Sequence, residues 1–419
     1  MALAGTLVSC STDPVAVDQI STTTVATPTT SIPERVSDGV LRLGTLLPLT
    51  GPGAAFGVPL ADAVRRAVAI VNEAGGVNGV PIEVTERDEG ADASTALAGA
   101  NALINDDRVD AIIGPASSRV ALSVLGQIVR QGVLSCSPVA TAISLSSFPD
   151  QGLFMRTQPS DALQAEVIAR LVDQTGRSTT NLLYPDDMFG RDFSDAVRQA
   201  ASTLGITIEA AVSYDPTADE LDDAALAALE GSPPVVVVLG DAEAGLRMLS
   251  AAVAVAPSPA PVFIVNDALR GPLPVDLVEQ MSREQLSRIR GVSPAVLANN
   301  ADLLGLLGAA ERDPATAFAS AAVDCVNLIA LGAASVGSDD PSGIASQVSA
   351  LSRGGTSCRD FPTCMALLGE GRNIDYNGYE GLMRLDASGD VTVGAFERFS
   401  FDAEGNDITD LRLTVGAAG

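Results

Sequence analysis

Two short loops carry the residue types best suited to holding a small anion. Ser117 and Ser118 follow a strand-like run, Val109 to Ile113, and open a helical pattern that reaches about Arg130. A helix N-terminus presents free N–H groups and the positive end of a dipole, which together suit a carboxylate. The plain alternative is an N-cap, worth about 1 kcal/mol. The turn Ser137-Pro138-Val139-Ala140-Thr141 makes the same offer after the next strand, Val133 to Ser135. Side by side, the two loops would grip one α-carboxylate. Asp267 ends a third strand-like run, and Asp241 follows Gly240 after Val235 to Leu239. Taken by itself, Asp267 is a solvated turn residue or a cap. Phe56, in a Gly/Pro-rich loop, is either an apolar wall of the site or a core residue.

The missing residues narrow the chemistry further. The chain has no His, and all 25 basic residues are Arg. Ser-His-Asp, Cys-His and Ser-Lys catalysis are therefore impossible within it. No CxxC pair is present to start a zinc site. No catalytic residue and no metal ligand is nominated, and no cofactor is expected. The spacing Gly51-x-Gly53-x-x-x-Gly57, with Asp88 further on, superficially matches a dinucleotide loop. Its final spacing is wrong, and Pro52 and Pro59 remove N–H donors that a pyrophosphate needs. A net charge of −27 argues against nucleic acid or anionic lipid as a partner, since both select clustered Lys/Arg.

The elements that must position these loops alternate regularly. Leu41 to Leu47 is a strand, Thr50 to Gly57 a loop, and a helix follows with apolar Val64, Ala67, Val68 and Val71. Gly75-Gly76 stops that helix, and Pro81 to Thr85 is the next strand. Such a βαβ unit puts its loop at the carboxyl end of a parallel strand, where open α/β sheets bind ligands. The alternation continues through Thr157, and a second series runs from Ser160 to Asp267. Two series imply two doubly wound sheets, consistent with 419 residues, since single cores rarely grow past about 250–300 residues. A long helix, Ala315 to Ala334, comes late, and a hairpin-like end contains Asp386 to Asp390.

At the amino terminus, Leu7-Val8-Ser9-Cys10 resembles the bacterial lipobox, whose Cys is acylated, although the basic n-region of a signal peptide is missing. Ser11 to Asp38 reads as a disordered tether rich in Ser, Thr, Val and Pro.

The order PLTGPGAAFG, helix, NEAGGVNG resembles the start of type I substrate-binding proteins of ABC transporters, the leucine/isoleucine/valine-binding branch in particular. The resemblance covers roughly Val40 to Phe401. It implies an α/β fold of two doubly wound parallel-sheet lobes joined by a three-crossing hinge. The crossings would fall near Arg156, Arg290 and Gly381. The expected division is 1–39 as anchor and tether, 40–157 plus 292–380 as one lobe, and 158–291 plus 381–419 as the other. It also implies a ligand set: Ser118, the Val139 carbonyl and Thr141 on one lobe, with Asp267 meeting the ligand ammonium from the other. Phe189 stands where Tyr is common, and Asp241 where some members carry an aromatic residue.

Once Cys10 is acylated four Cys remain, which suits an oxidising compartment. Cys358 and Cys364 bracket a Pro-containing loop and are expected to pair. Cys136 and Cys325 fall on one lobe in the implied fold, as a second bridge or as two buried thiols. The sequence thus describes a lipid-anchored protein on the outer face of the cell membrane. It would capture a small amino acid or amide-like solute for an ABC permease by hinge closure, touching the membrane only through its anchor. An extracytoplasmic sensor is an alternative, and a cofactor-dependent α/β enzyme a further one.

Overall fold

Runs of Val, Ile and Leu punctuated by Gly and Pro become short strands buried on both faces, as parallel sheets covered by helices require. The computed structural model describes residues 1–2, 35, 37–295, 301–308, 318–379 and 381–416. Cys10 and nearly all of the expected tether lie outside the described residues.

The first series comprises β1 (Arg42–Leu47), α1 (Ala54–Glu73), β2 (Glu83–Asp88), α2 (Ala93–Asn105), β3 (Ala111–Ile113), α3 (Ser118–Arg130), β4 (Leu134–Ser137) and β5 (Phe154–Arg156). They form a five-stranded parallel sheet of order β2-β1-β3-β4-β5. β2 starts two residues later than expected and runs to Asp88. It is an edge strand of largely polar sequence, so apolar alternation marks its ends poorly.

The second series is α4 (Asp161–Gln174), β6 (Thr179–Pro185), α5 (Met188–Thr203), β7 (Thr207–Tyr214), α6 (Asp222–Leu229), β8 (Val235–Val238), α7 (Ala242–Ala254), β9 (Val262–Val265), α8 (Val275–Gln280), α9 (Arg283–Ser287) and β10 (Ile289–Pro294). The chain then adds α10 (Ala301–Leu307), α11 (Ala319–Val336), α12 (Pro341–Leu351), β11 (Thr356–Cys358), α13 (Phe361–Gly369) and β12 (Ile374–Tyr376) beside the first sheet. It ends in β13 (Val393–Phe401) and β14 (Asp407–Gly416). The second sheet has seven strands in the order β14-β13-β10-β9-β8-β6-β7. Its parallel part is extended by two antiparallel strands, β13 on β10 and β14 on β13.

Each sheet has a core on both faces. α1 and α11 cover one face of the first sheet and α2 and α3 the other. α6 and α7 cover one face of the second, α4 and α5 the other. Among the described residues, α11 alone is long and apolar enough to cross a membrane, but it is buried in the first lobe.

The lobes meet at three crossings. Pro159 bridges Val391 in parallel, and the Ala295 N–H donates to the Ala395 carbonyl at 2.8 Å. β10 stays paired through Pro294, so the second crossing lies beyond the expected Arg290. Residues 384–390 still touch the first lobe. Arg353 donates to the Leu385 carbonyl at 2.7 Å, and Arg156 N–H donates to the Gly389 carbonyl at 3.0 Å. The third crossing therefore follows Gly381 by about ten residues, because the turn at Asp386 closes on the first sheet before β13 leaves it. Disulfides join Cys136 on β4 to Cys325 on α11, and Cys358 on β11 to Cys364 on α13.

Candidate functional site at the carboxyl edges of the two sheets

The loop after β1 is set by close packing. A Cβ on Gly57 would run into the Pro48 carbonyl oxygen, so only glycine lets α1 approach β1 here. Asp88, the acid that a dinucleotide site would use, accepts from the Leu49 and Gly90 N–H groups at 2.8 and 2.9 Å and from the Thr50 hydroxyl. It pins that loop. Phe56 packs, partly buried, on the first-lobe core.

The loop between β3 and α3 is held from beneath by an acid that the sequence did not single out. Buried Glu89 accepts the Ala116 N–H at 2.7 Å and the Ser117 N–H at 2.9 Å. Two of the donors expected for a ligand carboxylate are thus taken by the protein itself. Burial pushes the Glu89 pKa up to about 7, although both N–H bonds favour the charged form. Ser117 is the N-cap of α3.

Ser118 does something else. Its hydroxyl oxygen accepts the N–H groups of Thr141 and Ala142 at 3.1 and 3.2 Å, joining the two expected loops into one surface. Ser137 anchors the start of the turn, donating to the Pro115 carbonyl at 2.6 Å and accepting the Ala140 N–H at 2.9 Å. Val139 sits partly exposed between them.

Arg156 fixes this surface from behind. Its fully buried guanidinium donates to the Ala142 carbonyl at 2.9 Å, the Ser146 hydroxyl at 2.6 Å and Asp390 at 2.7 Å. One side chain therefore ties the Thr141 turn to the third crossing. The available signal was a charged residue at the end of the apolar run Leu153-Phe154-Met155.

On the second lobe, Asn266 pairs reciprocally with Gly240: the Gly240 N–H donates to Oδ1 and Nδ2 donates to the Gly240 carbonyl, both at 3.0 Å. This locks the loops after β8 and β9 together. Asp241 is exposed and caps α7, accepting the Glu243 and Ala244 N–H groups at 3.0 and 2.7 Å. Asp267 follows Asn266 and opens a short turn, Asp267–Leu269. Burial raises its pKa, while the Gln164 and Asn266 amides oppose the shift. Phe189 packs edge-on against Phe193 at 5.7 Å, on the second-lobe core.

Asp161 and Gln164, one turn apart at the start of α4, were also missed. Behind Ser160, Asp161 looks like an ordinary first-turn acid, yet it is 4% exposed. Its N–H donates to the Thr141 carbonyl at 2.9 Å, so the two lobes touch here. Burial, then the charge of Asp267, raise its pKa to about 7; the Thr141 hydroxyl and Arg156 oppose this. The structure thus brings Ser118, Val139 and Thr141 into one surface, with Asp161 bonded to it and the charge of Asp267 felt at Asp161. Phe56, Phe189 and Asp241 each serve their own lobe's packing or capping.

The arrangement offers hydroxyls and a carbonyl on one side and carboxylates on the other, without a nucleophile–base pair. A family model described as periplasmic binding protein matches residues 40–355. The chemotactic signal transduction system substrate-binding protein BasB of Halobacterium salinarum is 28% identical over 380 residues, covering 84% of this chain and 85% of that protein. The leucine-, isoleucine-, valine-, threonine- and alanine-binding protein of Pseudomonas aeruginosa is 26% identical over 360 residues, covering 81% and 89%. The fold is similar to that of the branched-chain amino acid transporter substrate-binding protein LivJ of Streptococcus pneumoniae in complex with isoleucine. That match has a TM-score of 0.66 and 19% identity, covering 90% of this chain and 100% of that one. These are binding proteins, and so is this chain, which is not an enzyme: it belongs to the periplasmic binding protein family.

Proposed function

We propose that this protein captures a small amino acid or amide-like solute between its lobes and delivers it to an ABC permease. The observation that carries the reading is the Ser118 hydroxyl. It joins two loops at the carboxyl edge of the first sheet into one polar surface, which touches Asp161 through the Thr141 carbonyl, and Asp161 in turn feels the charge of Asp267. Ser118, the Val139 carbonyl and Thr141 would take the carboxylate and share the ammonium, and Asp267 would meet the ammonium. A ligand bound to one lobe then favours closure by contacts with the other. For this purpose the described residues of the lobes are 40–157 with 301–308, 318–379 and 381–391, and 158–295 with 392–416. Cys10 would hold the protein at the outer face of the membrane through a lipid; a diacylglycerol mass on Cys10, in a host with lipoprotein processing, is the expected result. The name of the Halobacterium relative favours one further reading, a sensor that passes closure to a signalling partner.

Calorimetry on ligand-stripped protein with a panel of amino acids and amides tests the site. Asp267→Ala should weaken binding by about 2–4 kcal/mol, since it strands a desolvated ammonium. Unchanged affinity in that variant would refute the assignment.

A further inference from the structure

Arg270 closes the short turn that begins at Asp267: its N–H donates to the Asp267 carbonyl at 2.9 Å. Its side chain is 13% exposed and reaches β10, β13 and β14. Nη1 donates to the Ser293 hydroxyl on β10 and to Glu397 on β13, the latter at 3.0 Å. Nε donates to Asp407 at 3.1 Å and Nη2 to the Thr409 hydroxyl at 2.8 Å, both on β14. The guanidinium carbon lies 5.7 Å from the centroid of the Phe399 ring. A planar fork of N–H donors lets one side chain hold all of these strands, which the compact ammonium of a lysine could not do. Ser293 and Glu397 also stand at the hinge. Ser293 precedes Ala295 by two residues and Glu397 follows Ala395 by two, and Ala295 and Ala395 form the backbone bond at the crossings. The Asp267 turn is therefore fixed at both ends. Asn266 ties its start to the Gly240 loop, and Arg270 ties its end to the strands that meet the hinge.

We propose that Arg270 is a positioning residue that couples the Asp267 turn to the hinge, as the second lobe's counterpart of Arg156. Arg156 ties the Thr141 turn to Asp390, just before the third crossing. Arg270 ties the Asp267 turn to β10 and β13. Each loop assigned to the solute then moves as one body with hinge strands. This rests on the reading of Asp267 as a solute contact. The second lobe swings with Asp267 already in place, so little entropy is lost in ordering that turn when the lobes close. Without the Arg270 side chain, the end of the turn keeps its backbone bond and the packing of Leu269, but loses its link to the crossings. First capture on the first lobe should be spared. Closure should weaken, because a solute shifts that equilibrium only through contacts made in the closed state.

The test is a double-mutant cycle on the ligand-stripped full chain, read by calorimetry and small-angle scattering. The probes are L-leucine, L-threonine, L-glutamine and L-arginine. For the amino acid that the parent binds best, Arg270→Gln should lose about tenfold in affinity and show less compaction at saturation. In an Asp267→Ala background the same change should cost less than about twofold, because the residue through which Arg270 acts is already gone. A merely structural role would cost the same factor in both backgrounds. Ser293→Ala is the milder variant, since Arg270 keeps Glu397 and Asp407. It should lose about threefold alone and nothing beside Asp267→Ala. If an amino acid binds and Arg270→Gln keeps its affinity, or loses the same factor in both backgrounds, this inference falls and the proposed function stands. If Arg270→Gln fails to fold, Ser293→Ala decides, and unchanged affinity there overturns the proposal. An Asp267→Ala variant that binds as tightly as the parent overturns both this inference and the assignment of Asp267. A parent that binds none of the four amino acids overturns the proposed function as well.

Discussion

The two lobes build the loops at their sheet edges by different means. The first lobe presents hydroxyls and backbone groups, and braces them three times from behind. Glu89 holds the Ser117 loop, Arg156 holds the Thr141 turn, and the Cys136–Cys325 bond pins β4 to α11. The second lobe carries two acids at its sheet edge, Asp267 and the buried Asp161, and its loops are joined by the Asn266–Gly240 pair; both disulfides belong to the first lobe. On the proposed function, the braced surface would suit first capture, because little ordering entropy would remain to be lost on binding, and Asp267 would favour closure over a ligand cation.

The largest expected effect tests the bracing. The Cys136–Cys325 bond closes a loop with a sequence separation of 189, against 6 for Cys358–Cys364. Chain-entropy reasoning gives about 5 kcal/mol for the long loop and about 2 for the short one. In oxidising urea titrations, the paired Cys136→Ala and Cys325→Ala variant should therefore lose more than twice what the Cys358→Ala and Cys364→Ala variant loses. Equal losses would mean that the first lobe is held by its core alone.

Arg156→Gln comes next. Breaking a buried ion pair strands its partner charge, here Asp390, and typically costs about 3–5 kcal/mol. The variant also frees the Ala142 carbonyl and Ser146, so solute affinity should fall along with stability. Asp390→Asn should be milder, since it leaves the Arg156 bonds to the turn intact. If Arg156→Gln destabilises the fold yet binds as tightly as the parent, the link to the Thr141 turn plays no part in capture.

These two predictions mark the limit of what the sequence disclosed. Strands and their loops were legible because apolar runs, Gly57 and the turn glycines act over a few residues. Ser118 and Thr141 were legible as loop residues at strand ends, and through a family resemblance. Arg156 was not, because its partner Asp390 is 234 residues away and only the fold brings them together. Glu89 and Asp161 follow ordinary strand-end and helix-start patterns, and nothing local announces that both are buried. The exact ends of the crossings depend on contacts of the same kind: β10 runs on to Pro294, and the Asp386 turn is retained by contacts with Arg353 and β5.

A smaller effect compares how the lobes respond to pH. Burial holds Glu89, Asp110 and Asp161 each at about 7. Asp110, on the first lobe, accepts the Arg42 N–H at 2.9 Å, with the charge of Asp339 raising it further and Arg35 and Arg42 opposing. Raised carboxyl pKa values mean that between about pH 4 and pH 7 the folded chain keeps protons that the unfolded chain has released. Stability should fall as pH rises through that window, by up to about 1.4 kcal/mol per unit for each group. Urea midpoints at pH 5.5 and 7.5 measure the slope. Glu89→Gln and Asp110→Asn should each remove one share of it in the first lobe, and Asp161→Asn one share in the second. A parent with a flat profile would show that these carboxylates are solvated in solution.

The smallest effect concerns Asp241, the acid in the loop after β8. Here its carboxylate is occupied by two N–H groups of the first turn of α7. Asp241→Ala should cost about 1 kcal/mol of stability, as loss of an N-cap does. Asp241→Ser should recover most of that, because a hydroxyl caps the same position without a charge. Solute affinity should differ little between the parent and Asp241→Ser. That sets Asp241 apart from Asp267, whose neutral variant is expected to lose affinity. If Asp241→Ser restores the melting temperature but still binds weakly, the carboxylate reaches the solute as well as the helix. The acidic face would then extend across a third loop, and a solute with more than one positive group would become the better fit.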